Sequence, residues 1–127
     1  IAHRLRCIQF SETGETLPYK KWNCKGNENP RFLLPIGSEG VLYPPHIFPE
    51  VVWNDSLYLK LAPKADDLWF KAISLTENIM PLQSENSPSP SIPILCTQKV
   101  SLKKGNIDED QNRVQWENLS RYFDLKL

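Results

Sequence analysis

Eleven prolines in 127 residues restrict what this chain can fold into. Each proline fixes its φ angle and offers no backbone N–H, so long helices and inner strands cannot run through it. They cluster at Pro44–Pro45–Pro49 and again at Pro88, Pro90 and Pro93. The regular elements must therefore be short and joined by several rigid, irregular connections. The length fits one domain over residues 1–127, enough to bury roughly two thirds of the surface an unfolded chain exposes.

The segments between prolines can be read in turn. Loose alternation in HRLRCIQF predicts a strand over Ala2–Phe10, and Gly14 suits the turn after it. LPYKKWNCKGNENPR is polar and reads as a long surface loop carrying Tyr19 and Trp22 as isolated aromatics. GVLYPP reads as a short strand stopped by Pro44 and Pro45. Asn54 or Asp55 can cap a short helix that ends before Pro63. A second helix follows from Asp66, with Leu68, Ala72 and Leu75 on one face, joined by Trp69 and Ile73. IMPLQ and IPILCTQKVSL read as strands, and residues 85–91 as a flexible Ser/Pro linker. KKGNIDED is a polar turn. The last helix places Trp116, Leu119 and Phe123 at i, i+3 and i+7. The expected class is α/β or α+β, a small mixed sheet with two or three helices.

Charge and cysteine content exclude several roles. Fifteen basic and fifteen acidic residues balance, which leaves no electrostatic case for binding nucleic acid. No apolar run approaches the roughly 20 residues of a membrane span, and IAHRLRCIQF lacks the apolar segment of a signal peptide. The expected location is cytoplasmic. The first residue is not Met, and the chain reads as a piece of a longer protein. Cys7, Cys24 and Cys96 are widely spaced and odd in number, which favours reduced thiols over a disulfide framework. His3, Cys7, Cys24 and His46 show no tight pair of zinc ligands, so no metal site is expected from them.

The adjacent acids Asp66 and Asp67 are the candidates for chemistry. Acids at a helix start satisfy orphan N–H groups and suit the dipole, which explains them without any function. A carboxylate within reach of a hydroxyl can also act as a general base. Neighbouring helix residues point about 100° apart, so the two do not share one task. Asp67 is assigned the base role, and Asp66 is expected to cap the helix and orient it; the opposite assignment stays open.

GVLYPP (Gly40–Pro45), followed some twenty residues later by ADDLWFKA (Ala65–Ala72), resembles a group of bacterial glycosyltransferases. IAHRLRCIQF with LPYKKW, and Thr97–Gln98 before an amphipathic helix, are similar to the same family, so the resemblance covers nearly the whole chain. It implies the acceptor-side, C-terminal half of a GT-A-like fold, with the N-terminal half missing. The implied reaction moves a sugar from a nucleotide-sugar to a carbohydrate acceptor in surface polysaccharide synthesis. The family's D-x-D metal motif lies in the missing half. The implied cofactor is therefore a divalent metal, Mn or Mg, in the full-length enzyme and none in this chain, and the isolated chain should be inactive. The parent enzyme is open to peripheral membrane association. The resemblance puts Asp67 and Asp66 at the family's acidic motif. The chain departs from the family at Ser38–Glu39, where glycines are usual, and at Leu102–Lys103, where a Trp is common.

Gly40, Tyr43, Glu39 and Trp69 are the candidates for substrate contact, with Trp53 as a further aromatic able to stack on a sugar. His46 is a candidate for phosphate or metal, and Arg4 and Arg6 for a diphosphate. For each of these, a structural or solvated role is the simpler account. The rival to the enzyme is a non-catalytic carbohydrate-binding or protein-interaction domain, a truncated remnant.

Overall fold

The computed structural model describes residues 1–86, 89, 92, 102 and 104–126. Among these residues the architecture is mixed helix and sheet, with a two-stranded sheet, three α-helices and several 3-10 turns. Strand β1 (Leu5–Cys7) pairs antiparallel with β2 (Leu33–Pro35), in the register Leu5↔Pro35, Arg6↔Leu34 and Cys7↔Leu33. The strand expected over Ala2–Phe10 is thus only three residues long. Its flanks survive as single bridges, Ala2 to Val41 and to Gln83, and Phe10 to Thr16. GVLYPP and IMPLQ contribute one bridging residue each and form no strand. The prolines next to them cannot extend a ladder. The linker expected at 85–91, the strand expected over Ile92–Leu102, Thr97–Gln98 and Cys96 lie, but for single positions, outside the described residues.

The helices follow their sequence signals closely. Helix α1 (Asp55–Leu61) is capped by Asn54, whose side chain accepts from the Leu57 N–H at 3.0 Å. Pro63 follows its end, where a continuing helix would need an N–H. Helix α2 (Asp66–Thr76) is buried almost all round from Leu68 to Leu75, with only Phe70 partly open. A helix with that burial is the centre of its domain. Helix α3 (Gln111–Tyr122) packs on α2 through Trp116 and Leu119, both fully buried. The polar turn before it winds as a single π-type turn, Lys104–Asp108.

The segment read as a surface loop behaves differently. A 3-10 turn at Tyr19–Lys21 drives Tyr19 and Trp22 into the core. Their rings meet at a tilt of 58° with centroids 5.0 Å apart, and Trp22 meets Trp116 edge-on at 6.5 Å. The Trp22 Nε1–H donates to the Leu17 carbonyl at 2.7 Å, which makes the indole's burial affordable in hydrogen-bond terms. This loop is therefore a wall of the core.

Two substitutions test this arrangement. Asn54→Ala should cost about 1 kcal/mol by leaving α1 uncapped. Leu119→Ala should cost about 2–5 kcal/mol by opening a cavity between α2 and α3. Urea unfolding of both variants measures the difference, and equal losses would contradict the burial described for Leu119.

Candidate functional site

Asp67 stands in the first turn of α2, and its Oδ1 accepts from the Gly37 N–H at 2.8 Å. Gly37 opens the 3-10 turn Gly37–Glu39 that follows β2. A Cβ at Gly37 would sit 2.8 Å from that same oxygen, so only glycine lets the carboxylate come so close. The expected capping role of Asp66 is not observed. The N-cap is Ala65, with φ −145° and ψ 69° and no side-chain cap, and Asp66 is the first helical residue. Ala65 is buried against the core, so a small apolar residue takes the cap position and Asp66 points to solvent. A pocket of about 150 Å³ opens beside the pair, with Tyr19, Lys64, Asn106 and Asn112 in its walls.

Burial pushes the Asp67 carboxyl up to about 6, the Gly37 N–H opposes this, and the nearby Asp66 charge adds to it. Position in the first helical turn leads one to expect a favoured ionised form. Desolvation outweighs that preference here. Tyr43 is pushed up to about 12, first by burial and then by Asp67 and Asp66. Its ring packs with Phe48 and Phe70 at 5.0 and 5.3 Å.

One turn further along the same face of α2 lies Lys71, a residue the sequence did not mark. It is 2% exposed. Among the described residues its Nζ has no hydrogen-bond partner. Burial lowers it to about 8, with Arg31 acting in the same direction and Cys7 against it. A lysine inside an amphipathic pattern ordinarily reads as solvated, so nothing in the sequence signals this one.

The remaining candidates separate. Glu39 pairs with Arg4 at 2.7 Å, so each occupies the other. Arg6 donates to the Tyr19 carbonyl at 3.1 Å, and its guanidinium lies 4.5 Å from that ring's centroid, a structural position. Gly40 closes the turn with φ 95°, a conformation that favours glycine, and its N–H donates to the Gly37 carbonyl at 3.0 Å. The sugar-stacking role expected of Trp69 does not fit its position. Its indole is buried between Tyr58 and Phe123 and donates to the Val52 carbonyl at 3.2 Å, so no ring face is free. Trp53, by contrast, is 79% exposed. His46 is exposed, in a left-handed turn with φ 58°. The fold thus gathers Asp66, Asp67 and the Gly37–Gly40 turn, with Tyr43 close enough to feel both charges.

Among the described residues, one group of three metal-type ligands forms, and it is Cys7, Cys24 and Glu28. Among the described residues the acidic pair has no third ligand of that kind beside it. His3 and His46 take no part in the cysteine group, and Glu28 was not among the sequence candidates. Its signal is the short CKGNE spacing, in which Gly26, at φ 117°, turns the chain back.

The two shifted groups predict opposite pH behaviour. Folding raises Asp67 from 3.8 to about 6, so folding favours its protonated form and stability falls as pH climbs through that window. Folding lowers Lys71 from 10.5 to about 8, so stability rises as pH climbs from about 8 to 10.5. Lys71→Met should therefore stabilise at pH 7, by up to about 3 kcal/mol, with the gain fading above about pH 10. Asp67→Asn should stabilise by about 1 kcal/mol after solvent screening, with the gain fading toward about pH 4. Melting temperatures across pH check both, and gains independent of pH would contradict the assigned causes. Comparison with protein-family models, with curated proteins and with solved structures found no match to this chain.

Proposed function

We propose that this chain carries the acceptor-side catalytic carboxylate of a GT-A-like glycosyltransferase, which moves a sugar from a nucleotide-sugar to a carbohydrate acceptor. The observation that carries the reading is Asp67, partly buried, held by the Gly37 N–H and raised to about 6. A carboxylate so raised is ionised at neutral pH, yet a stronger base than an exposed one. Its Oδ1 is engaged by Gly37, which leaves Oδ2 to take the proton of an acceptor hydroxyl. As that proton leaves, the hydroxyl oxygen bonds to the anomeric carbon of the donor. The bond from that carbon to the diphosphate breaks, and the nucleoside diphosphate departs with the bonding pair.

Asp66 keeps the local field negative and so keeps Asp67 basic. The Gly37–Gly40 turn with Glu39, and Tyr43, are the groups beside which an acceptor would lie. The Mn or Mg ion that assists such a leaving group has no ligand set beside Asp67 among the described residues. It belongs with the donor-binding half in this reading, and no step here runs through it. The chain alone should then turn over poorly. The whole enzyme would work on the cytoplasmic side, in surface polysaccharide synthesis. Among the described residues no helix is long and apolar enough to cross a membrane.

A second reading is a non-catalytic binding or interaction domain. It is favoured by a larger apolar pocket of about 320 Å³, lined by Tyr43 with Val41, Leu42, Ile47, Met80 and Leu82. Leu42 and Leu82 are exposed there.

Amide NMR of the chain titrated with mono- and oligosaccharides separates the two. The enzyme reading expects shifts at Gly37 and Gly40. With a donor-binding half supplied, Asp67→Asn should cut transfer roughly 100- to 10,000-fold while the fold persists, and Asp66→Ala should cut it far less. Normal turnover by Asp67→Asn, or shifts confined to the apolar pocket, would favour the second reading.

A further inference from the structure

Cys7 and Cys24 are seventeen positions apart, yet the fold brings them together with Glu28. Their ligand atoms, two Sγ and a carboxylate oxygen, all lie within 4.8 Å of one another. In tetrahedral zinc sites, with Zn–S about 2.3 Å and Zn–O about 2.1 Å, ligand atoms stand about 3.5–3.8 Å apart. The triad is therefore about 1 Å from closing on an ion.

The three side chains are held from independent directions. Cys7 ends β1 and is buried, fixed by its pairing with Leu33. Cys24 follows the buried Trp22, and Gln9 Nε2 donates to the Asn23 carbonyl at 3.3 Å, which lashes this stretch to the chain just beyond β1. Glu28 is drawn back toward its own turn, where its carboxylate accepts from the Lys25 and Gly26 backbone N–H groups. Such outer hydrogen bonds orient a carboxylate ligand, and a carboxylate retains lone pairs for a metal while it accepts them.

The charge of the group also suits a cation. Cys24 and Glu28 each act on Cys7 as nearby negative charges, and Glu28 acts in the same way on Cys24, so the three ligands repel one another until a cation joins them.

We propose that Cys7, Cys24 and Glu28 form a zinc-binding site that staples the Tyr19–Glu28 segment to β1. Two sulfur ligands select zinc over magnesium or calcium, which prefer all-oxygen sites. The three protein ligands leave one tetrahedral position, and since Cys24 is exposed, water completes the set. The site stands apart from the acidic pair, and its test is independent of transferase activity.

The test titrates the reduced full chain with Co²⁺ and then displaces it with Zn²⁺. The expected result is saturation at one equivalent, with thiolate-to-cobalt charge-transfer bands that zinc abolishes. Cys24→Ser alters an exposed residue and leaves the core intact. It should weaken cobalt binding at least about tenfold, as should Glu28→Gln, while His3→Ala leaves it unchanged. Zinc should raise the melting temperature of the wild type and not of Cys24→Ser. Absence of saturable binding, full binding by Cys24→Ser, or a Cys7–Cys24 disulfide that resists reduction would overturn the proposal.

Discussion

The carboxylate of Asp110 ties the two ends of the fold together. Its Oδ1 accepts from the Tyr19 N–H at 2.7 Å, across 91 positions of sequence, and its Oδ2 pairs with Arg113 Nε at 2.6 Å. Asp110 itself adopts φ 57°, which Asp tolerates better than most residues. The bond matters because the described residues hold so little sheet. Two three-residue strands leave much of the buried backbone without ladder partners, and buried N–H and C=O groups need partners. Side chains take over that work. Trp22 donates to Leu17, Trp69 to Val52 and Asn106 to Lys64, while Gln115 accepts from the Lys64 N–H. Each joins an irregular segment to a helix or turn.

The same pattern positions the acidic pair. Lys64 lies just ahead of α2, and its two backbone groups are held by Gln115 of α3 and by Asn106 of the preceding π-type turn. The entry of α2 is thereby set from the C-terminal side of the molecule. From that entry, Asp67 reaches the turn after β2 and meets Gly37. The candidate site is thus built by four parts of the chain, although it reads as two adjacent letters. Loosening α3 should therefore disturb Asp67 without touching it.

The sequence exposed α2 and α3 because their apolar residues recur at helical spacing, and α1 because Asn54 is a strong cap before a Pro63 stop. The coarse mixture of helices and a small sheet followed from the same signals. Strand pairing was illegible, since three-residue strands carry almost no alternation to read. The burial of Tyr19 and Trp22 was illegible because their neighbours Lys20, Lys21 and Asn23 are polar, and a 3-10 turn needs only two inward residues. Asp66 suits a cap by residue type, but the cap position faces the core and Ala65 fills it. Trp69 is a stacking candidate by residue type alone, and its place beside the apolar face of α2 already points to the core, where Tyr58 and Phe123 cover it. The burial of Lys71 and the approach of Cys7 to Cys24 depend on tertiary proximity, which no local pattern encodes; only the Cys24–Glu28 half of that group has a local signal, in its short spacing.

The uneven burial of the four tryptophans has an optical consequence. Trp22, Trp69 and Trp116 are sealed in one aromatic core, while Trp53 faces solvent at the end of the 3-10 turn ahead of α1. Aqueous quenchers such as iodide reach one indole and not the other three. The quenchable part of the emission therefore reports on the surface near α1, and the protected part on the integrity of the core. A single unlabelled sample carries both signals, so a local event near Asn54 and a loosening of the whole molecule can be told apart by light alone.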